Sequence, residues 1–231
     1  MKDILIKTER LSKSFSSGGA MQHVLKNIDL ELYKGDFTVI MGASGAGKST
    51  LLYALSGMDT PTLGTITFGD QVISNLNSDG LAVFRRRHCG FVFQQIYLID
   101  GMSVMDNVLS AGLLVSKDKN ALLARAKELF QAVDISGETQ RKFPAQLSGG
   151  ECQRGAVARA LINNPGIILA DEPSGSLDSA NRRDLHSLFF NLRDTLGATF
   201  VIVTHDENLA ADSDIIVTMA DGKIKHTISN T

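Results

Sequence analysis

Apolar residues along the 231-residue chain follow two periods, one typical of strands and one typical of helices. The segment 28–32 (IDLEL) alternates apolar and polar residues, which predicts a strand with one buried face. The segments 37–41 (FTVIM) and 167–171 (IILAD) are almost continuously apolar, as strands buried on both faces are. Further strands are predicted at 3–6 (DILI), 65–68 (TITF) and 199–204 (TFVIVT), and a strand, an Asp-Gly turn and a second strand at 215–228.

Helical spacing of apolar residues separates several of these strands. A helix is predicted after the segment 37–41, with Leu51, Leu52 and Leu55 on one face and an end near Gly57. The segment 122–133 keeps helical spacing for three turns. The apolar residues between positions 185 and 196 predict a long helix that ends at Gly197.

The order of these elements predicts the fold class. Strands that alternate with helices favour an α/β fold with a mostly parallel sheet. Residues 103–163 are mostly helical, and Ser103 with Asp106 resembles a capping box at the start of that region. We expect this helical subdomain to be inserted into the α/β core, and the early alternating strands to form a small antiparallel β subdomain.

Composition narrows the functional classes. The net charge of −2 lacks the strongly basic character of a nucleic-acid-binding domain, so no nucleic acid partner is expected. Two cysteines, Cys89 and Cys152, do not make a disulfide framework, which favours a reducing cytosol. The first residues are too polar for a secretory signal, and no apolar run reaches the roughly 18 residues that span a bilayer. Any membrane role is therefore expected to require a separate partner chain.

A phosphate-binding loop is the most specific motif. The sequence GASGAGKS fits the pattern G-x-x-x-x-G-K-[ST] and lies between a predicted strand and a predicted helix. Its backbone N–H groups and the helix dipole favour phosphate, the Lys48 ammonium suits the β- and γ-phosphates, and the Ser49 hydroxyl suits Mg²⁺. The alternative is a glycine-rich turn that only packs a helix on a strand. The residues predicted to surround the phosphates are Gly42, Ala43, Ser44, Gly45, Ala46, Gly47, Lys48, Ser49 and Thr50.

Other polar residues follow predicted strands, where ligands of open parallel sheets bind. Asp171 is expected to hold Mg²⁺ through water, and Glu172 to polarise the water that attacks the γ-phosphate. Alternatively, the two are surface acids at a strand end. His205 is a possible donor to the γ-phosphate or a structural histidine. Gln94 follows the segment CGFVF, and its amide can reach both Mg²⁺ and an attacking water.

A second glycine-rich helix start follows at LSGGE, where Ser148, Gly149 and Gly150 offer another place for an anion. The motifs GASGAGKST, LSGGE, ILADEP, SLD and His205 occur in the order and approximate spacing of the ABC ATPase nucleotide-binding domain. The chain resembles that family over essentially its whole length. The resemblance implies one ATP-hydrolysing domain, residues 1–231, with a phosphate-loop, RecA-like core.

The resemblance also implies why two anion sites are present. In ABC ATPases two chains pack head to tail and hold two ATP molecules, so Ser148, Gly149 and Gly150 would contact the nucleotide of a second copy. Asp178 would lie at the dimer seam, and Phe15 would stack on adenine. By the same resemblance the catalytic residues are Glu172, His205, Lys48 and Gln94, the metal ligands are Ser49, Gln94 and Asp171, and the cofactors are ATP and Mg²⁺.

Some positions depart from the family pattern. Glu151 stands where Gln is usual and is followed by Cys152, so its effect on hydrolysis is open. An acid suits the first turn of a helix but also brings negative charge toward a triphosphate. Ser174 and Ser176 replace the commoner Thr and Ala and are expected to be mild changes. His186 is expected at the surface.

The segments SGMDTPTLGTITF and GFVFQQIYLIDGMSVMDNV resemble lipoprotein-release, macrolide-exporter and bacitracin-type peptide-resistance ATPases. That branch implies an integral-membrane permease as partner, a location on the inner face of the cell membrane, and export or extraction of a peptide, antibiotic or lipid-linked substrate. The alternative is an ATP-driven signalling subunit that regulates a cell-wall hydrolase or sensor kinase through its membrane partner. The apolar segment 96–99 would dock the permease or only pack the helices, and the basic segment 85–88 is a solvated helix face or a lipid or permease contact.

Overall fold

The computed structural model describes residues 2–18 and 20–230. The strands are β1 (Ile4–Ser17), β2 (Ala20–Tyr33), β3 (Phe37–Gly42), β4 (Leu63–Phe68), β5 (Gln71–Val72), β6 (Cys89–Phe93), β7 (Ile167–Asp171), β8 (Phe200–Val203), β9 (Ile215–Ala220) and β10 (Lys223–Ser229). The α-helices are α1 (Lys48–Leu55), α2 (Ser78–His88), α3 (Val104–Gly112), α4 (Lys119–Ala132), α5 (Gly149–Leu161), α6 (Ser179–Leu196) and α7 (Glu207–Ala211).

The chain divides into two compact units. One unit contains the described residues up to Arg85 and those from Thr199 onward, and the other is Arg86–Ala198. The first unit carries the phosphate loop and His205. The second carries Gln94, the acidic pair and the Ser148 helix start. The expectation of a single domain with an insertion at about 103–163 stays a prediction.

The first unit contains an antiparallel sheet in the order β2-β1-β4-β5. In the segment 28–32 the apolar residues are buried and the polar ones exposed, as their alternation predicts. Both β1 and β2 are 14 residues long, much longer than the predicted strands. Their outer halves pair with each other but bury few side chains, so no apolar alternation marks them.

The same unit contains a second group of strands in the order β10-β9-β3-β8. Strand β3 runs parallel to both β8 and β9, and β10 returns antiparallel beside β9 after the predicted Asp-Gly turn. The rings of Phe37 and Phe200 stack with their centroids 5.4 Å apart between β3 and β8. This apolar packing fixes the strand ends from which the phosphate loop and His205 follow.

The second unit pairs β6 with β7 in parallel and adds helices α3 to α6. The Ser103 hydroxyl accepts a hydrogen bond from the Asp106 backbone N–H at 3.1 Å, so the predicted cap of α3 is confirmed. Helix α6 ends at Gly197, which has a φ of 63°, as predicted. Strand β6 was not predicted, since it is short and only two of its five residues are buried.

The surface position predicted for His186 is wrong. The side chain is buried on α6, and its Nε2 lies 3.3 Å from the Ser174 hydroxyl oxygen. Leu185, Phe189 and Leu192 form the buried stripe of that helix. At 100° per residue, His186 lies only about 60° from Phe189 around the helix, so it borders the buried stripe and is covered with it.

Candidate nucleotide-binding site

The phosphate loop connects β3 to α1 and leaves its tip open to solvent. Ala43, Ser44 and Gly45 are exposed, whereas the loop turns inward at Gly47 and Lys48. Gly47 has a φ of 96°, and a Cβ at this position would lie 2.9 Å from the Val24 carbonyl oxygen. A larger residue would therefore be strained in its backbone and would collide with β2. The first turn of α1 therefore follows directly on an exposed loop. Its unpaired backbone N–H groups are accessible there to an anion.

Lys48 is held inside this loop. Its ammonium donates to the carbonyl oxygens of Gly42 at 2.8 Å and Ala43 at 3.1 Å, and the side chain is almost fully buried. His205 follows β8 and is exposed, and its Nε2 lies 3.5 Å from the Lys48 Nζ. The structure therefore brings together Lys48 and His205, which are 157 positions apart in the sequence. Both can face the same phosphate at the loop.

Ser49 and Thr50 lie in the first turn of α1 and are half-buried. Phe15 lies on β1 with 42% of its surface exposed, and the Lys13 ammonium lies 4.9 Å from the centroid of its ring. Lys13 also pairs with Asp59. An exposed aromatic face on a fixed strand suits stacking of a nucleobase.

Gln94 and the acidic pair meet at the carboxyl ends of two parallel strands. Phe93 of β6 pairs with Asp171 of β7, and the Gln94 backbone N–H donates to the Asp171 carbonyl oxygen at 3.0 Å. Glu172 follows with a φ of 47°, so the chain turns sharply after the strand. The structure thus places the Gln94 backbone beside the acidic pair through the pairing of β6 with β7.

The loop between Glu172 and Asp178 is held by residues that the sequence analysis did not assign. The buried Gln153 amide donates to the carbonyl oxygens of Pro173 at 2.8 Å and Phe93 at 3.3 Å. It therefore ties the end of β6 to the loop after β7. His186 contacts Ser174 on the same loop. A polar residue on a helix gives no sequence signal that distinguishes a buried bridge from an exposed side chain, so the sequence does not predict either contact.

Ser148 is the N-cap of α5, and it is exposed together with Gly149. Its hydroxyl oxygen accepts from the Glu151 N–H at 3.2 Å, and the Glu151 carboxylate accepts from the Ser148 N–H at 2.9 Å. The backbone N–H and then the hydroxyl of Ser148 hold the pKa of Glu151 below its ordinary value. A Cβ on Gly150 would lie 2.5 Å from the Asn181 side-chain oxygen, so α5 and α6 approach closely here.

Asp178 caps the next helix, α6. Its carboxylate accepts from the backbone N–H groups of Ala180 at 3.0 Å and Asn181 at 2.9 Å, and from the Asn181 amide at 2.7 Å. The Asn181 backbone N–H is the largest cause of a pKa of Asp178 below the ordinary value, followed by the Asn181 side chain. Asp178 is exposed, and its neighbours Leu177 and Asn181 lie against Gly149 and Gly150 at the start of α5.

Comparison with known proteins places these motifs in a family. The family model described as "ABC transporter" matches residues 25–175, which include the phosphate loop, the Ser148 helix start and the acidic pair. The chain belongs to the ABC transporter family. It is therefore an ATPase, with the phosphate-loop α/β fold predicted from the sequence.

Several relatives cover nearly the whole chain. The lipoprotein-releasing system ATP-binding protein LolD of Bacteroides thetaiotaomicron is 48% identical over 96% of this chain and 99% of its own length. The macrolide export ATP-binding/permease protein MacB of Shigella flexneri is 40% identical over 95% of this ABC ATPase but over only 34% of its own length. Both names match the branch predicted from the sequence.

A solved structure gives the same result at the level of the fold. The ATP-binding cassette MJ0796, as a dimer in a post-hydrolysis state with ADP and Pi, superposes with a TM-score of 0.90. It is 35% identical, and the match covers 98% of this chain and 99% of the cassette.

Two further surfaces were singled out in the sequence. In the segment 96–99, Tyr97 and Ile99 are 63% and 51% exposed, while the Arg159 guanidinium donates to the carbonyl oxygens of Ile96 and Tyr97. The segment is therefore an exposed apolar surface with a fixed backbone. In the basic segment 85–88, Arg86 and Arg87 are exposed, which fits a solvated helix face. Within residues 2–18 and 20–230, no helix has the length and apolarity needed to span a bilayer.

Proposed function

We propose that two copies of this ABC ATPase pack head to tail around two Mg-ATP molecules and move a membrane permease. The observation that carries this proposal is the exposed helix start at Ser148 and Gly149. A Cβ on Gly149 would meet only Leu177, at an ordinary 3.6 Å, so packing within the chain does not require glycine there. Close approach of a ligand from outside the chain accounts for it.

The phosphate loop supplies the other half of each proposed site. Its backbone N–H groups and the Lys48 ammonium bind the β- and γ-phosphates, and Lys48 exchanges its present carbonyl partners for phosphate oxygens. His205, which lies beside Lys48, donates to the γ-phosphate. Phe15 stacks on adenine. Ser148, Gly149, Gly150 and Asp178 complete the site of the second copy.

The donor set fits Mg²⁺. Ser49, Gln94 and Asp171 offer hydroxyl, amide and carboxylate oxygens, which are the hard ligands that this ion prefers. When bound, the ion would neutralise charge that develops on the phosphates. Glu172 accepts a proton from the attacking water, and Gln94 orients that water. Family membership supports these roles.

For the partner and substrate, the 48% identity with LolD supports a permease that extracts a lipid-linked substrate from the membrane. The exposed apolar segment 96–99 is the proposed contact with that permease, and the ATPase would then lie on the inner face of the membrane. Depletion of the chain in its native host should leave lipoproteins in the inner membrane, measured by membrane fractionation. Normal lipoprotein sorting with altered cell-wall hydrolysis would instead favour the signalling alternative.

The Glu172→Gln variant tests the assignment of the base. The amide keeps the shape of the side chain but cannot accept the proton of water, so hydrolysis should fall by at least about 100-fold, within the range of general-base effects. ATP binding should be retained, and an ATP-bound dimer should accumulate in sedimentation velocity. Hydrolysis within a few-fold of the wild-type rate removes Glu172 from this role.

The Ser148→Arg variant tests binding by a second copy. The long side chain fills the space for the γ-phosphate of the other molecule, so each chain should still bind one ATP but fail to dimerise. The Ser187→Arg variant is the matched control, because Ser187 is an exposed serine in the middle of α6. ATP-driven dimerisation of Ser148→Arg at the level of this control would refute the head-to-tail arrangement.

A further inference from the structure

The carboxylate of Glu151 contacts both the backbone N–H and the hydroxyl of Ser148. Its Oε2 accepts from the Ser148 N–H and lies 2.9 Å from the Ser148 hydroxyl oxygen. The same hydroxyl oxygen accepts from the Glu151 N–H at 3.2 Å. With that acceptor position filled by a backbone donor, the hydroxyl proton of Ser148 points at the carboxylate.

A serine hydroxyl has one proton and can donate one hydrogen bond. In the proposed dimer the Ser148 hydroxyl must donate to the γ-phosphate of the ATP bound by the second copy. In the structure the same proton is donated to Glu151. The Ser148 hydroxyl therefore cannot donate to ATP and to Glu151 at the same time. The Ser148 N–H can still donate to the Glu151 carboxylate when ATP is bound.

We propose that Glu151 is a positioning residue that restrains ATP-driven dimerisation by holding the Ser148 hydroxyl in a charge-assisted hydrogen bond. This inference rests on the proposed function, since it needs Ser148 at the nucleotide of a second copy. Closing the dimer requires each copy to break this bond. Glu151 thus raises the concentration of ATP-loaded chain at which the dimer forms.

The surroundings of Glu151 keep it charged at neutral pH. The Ser148 N–H, the Ser148 hydroxyl, Lys142 and Arg154 all hold its pKa below the ordinary value, with the Ser148 N–H as the largest cause. The Lys142 ammonium is itself paired with Glu138 at 3.0 Å, and the Thr139 hydroxyl lies 3.5 Å from the other oxygen of Glu151. The acceptor is therefore a carboxylate throughout the neutral range.

Glu151→Gln separates charge from shape. Glutamine keeps the capping box, because its amide oxygen can still accept from the Ser148 N–H. The hydrogen bond to the hydroxyl becomes a neutral one, which is roughly half as strong. In a Glu172→Gln background with ATP and Mg²⁺, we expect the dissociation constant of the dimer to fall about tenfold in sedimentation velocity. If Glu151 only stabilised the helix, Glu151→Gln would leave the dissociation constant of the dimer unchanged or raise it.

A double-mutant cycle with Ser148→Ala tests whether Glu151 acts through the Ser148 hydroxyl. If Glu151 acts through the Ser148 hydroxyl, Glu151→Gln should change dimerisation by less than about twofold once that hydroxyl is absent. An equal gain in the Ser148→Ala background would mean that the carboxylate repels the triphosphate directly, and the positioning role would be overturned. An unchanged or higher dissociation constant in the Ser148 background overturns it as well.

The test separates this inference from the proposed function. If the Glu172→Gln chain alone forms no ATP-dependent dimer, the proposed function fails. If it dimerises and Glu151→Gln brings no gain, only the role of Glu151 fails. Circular dichroism of each variant, together with ATP binding by the isolated chain, confirms that the phosphate loop is intact.

Discussion

Phe15 is the side chain proposed to stack on adenine. Its ring is 42% exposed on β1, with the Lys13 ammonium 4.9 Å from the ring centroid. A large aromatic side chain that is this exposed offers surface to a ligand, and stacking of adenine would cover it.

The Phe15→Ala variant measures that contact. A base stacked on an aromatic ring contributes about 1–3 kcal/mol, so the dissociation constant for ATP should rise about 5- to 150-fold in a calorimetric titration. Phe15→Tyr keeps the ring and is the matched control, with affinity expected within about threefold of wild type. ATP affinity that is unchanged in Phe15→Ala would show that adenine binds elsewhere.

Residues that belong to a fixed sequence motif are the ones whose position in the fold could be predicted. The phosphate loop needs glycine, lysine and serine at fixed positions, so the motif predicts its own geometry, and the Lys48–His205 contact follows from two strands that end beside each other. Gln153 and His186 were not found, because their buried contacts depend on how α5 and α6 pack rather than on residue type. The Ser148–Glu151 hydrogen bond lies between these two cases. The sequence predicts the two capping residues, but it does not predict that the Ser148 hydroxyl donates to the carboxylate.

At the scale of elements, helix caps carry local stability that can be tested separately from ATP binding. Ser103→Ala removes an N-cap of α3 worth about 1 kcal/mol. Amide hydrogen exchange in the first turn of α3 should therefore accelerate about fivefold. Ser187→Ala, at an exposed position within α6, is the control and should leave α3 unchanged. Equal exchange in both variants would contradict the role of this cap.

Glu151 also makes the start of α5 sensitive to acid. Its folded-state pKa lies below 4.5, so the stabilisation by the charged form is complete above 4.5 and is lost as the pH falls through the folded value. The wild type should be more stable than Glu151→Gln at pH 7, and the difference should shrink below pH 4.5. Urea unfolding midpoints at pH 7, 5.5 and 4.2 check this, and a difference that grows toward acid would have the wrong sign.

Strands that bury their side chains could be predicted, because burial leaves a pattern of apolar residues in the sequence. The segments 37–41 and 167–171 are nearly continuous apolar runs and form β3 and β7. Strand β6 and the outer halves of β1 and β2 were not predicted, because backbone pairing holds them while few of their side chains are buried. Sequence patterns report side-chain burial, and they miss strands that are stabilised mainly by main-chain hydrogen bonds.

At the scale of the whole molecule, the proposal is that ATP holds two copies of this ATPase together. Several charge-assisted hydrogen bonds to phosphate, each contributing about 1.5–3 kcal/mol, can supply the roughly 5.5 kcal/mol that moves a two-state equilibrium from 1:99 to 99:1. Under the proposed function, release of the γ-phosphate would remove part of that attraction, and the two copies would then separate. A permease attached to each copy would follow this cycle.

The dependence of hydrolysis on protein concentration tests this cycle without a permease. If each active site needs Ser148 from a second copy, the rate per chain should rise in proportion to concentration at high dilution and reach a plateau above the dimer dissociation constant. This follows because the dimer fraction is proportional to concentration only when dimers are rare. Ser148→Arg should remain low throughout, while Glu151→Gln should reach its plateau at lower concentration than wild type. A rate per chain that stays constant down to nanomolar protein would mean that a single copy contains the whole active site, and the second anion site at Ser148 would then need another ligand.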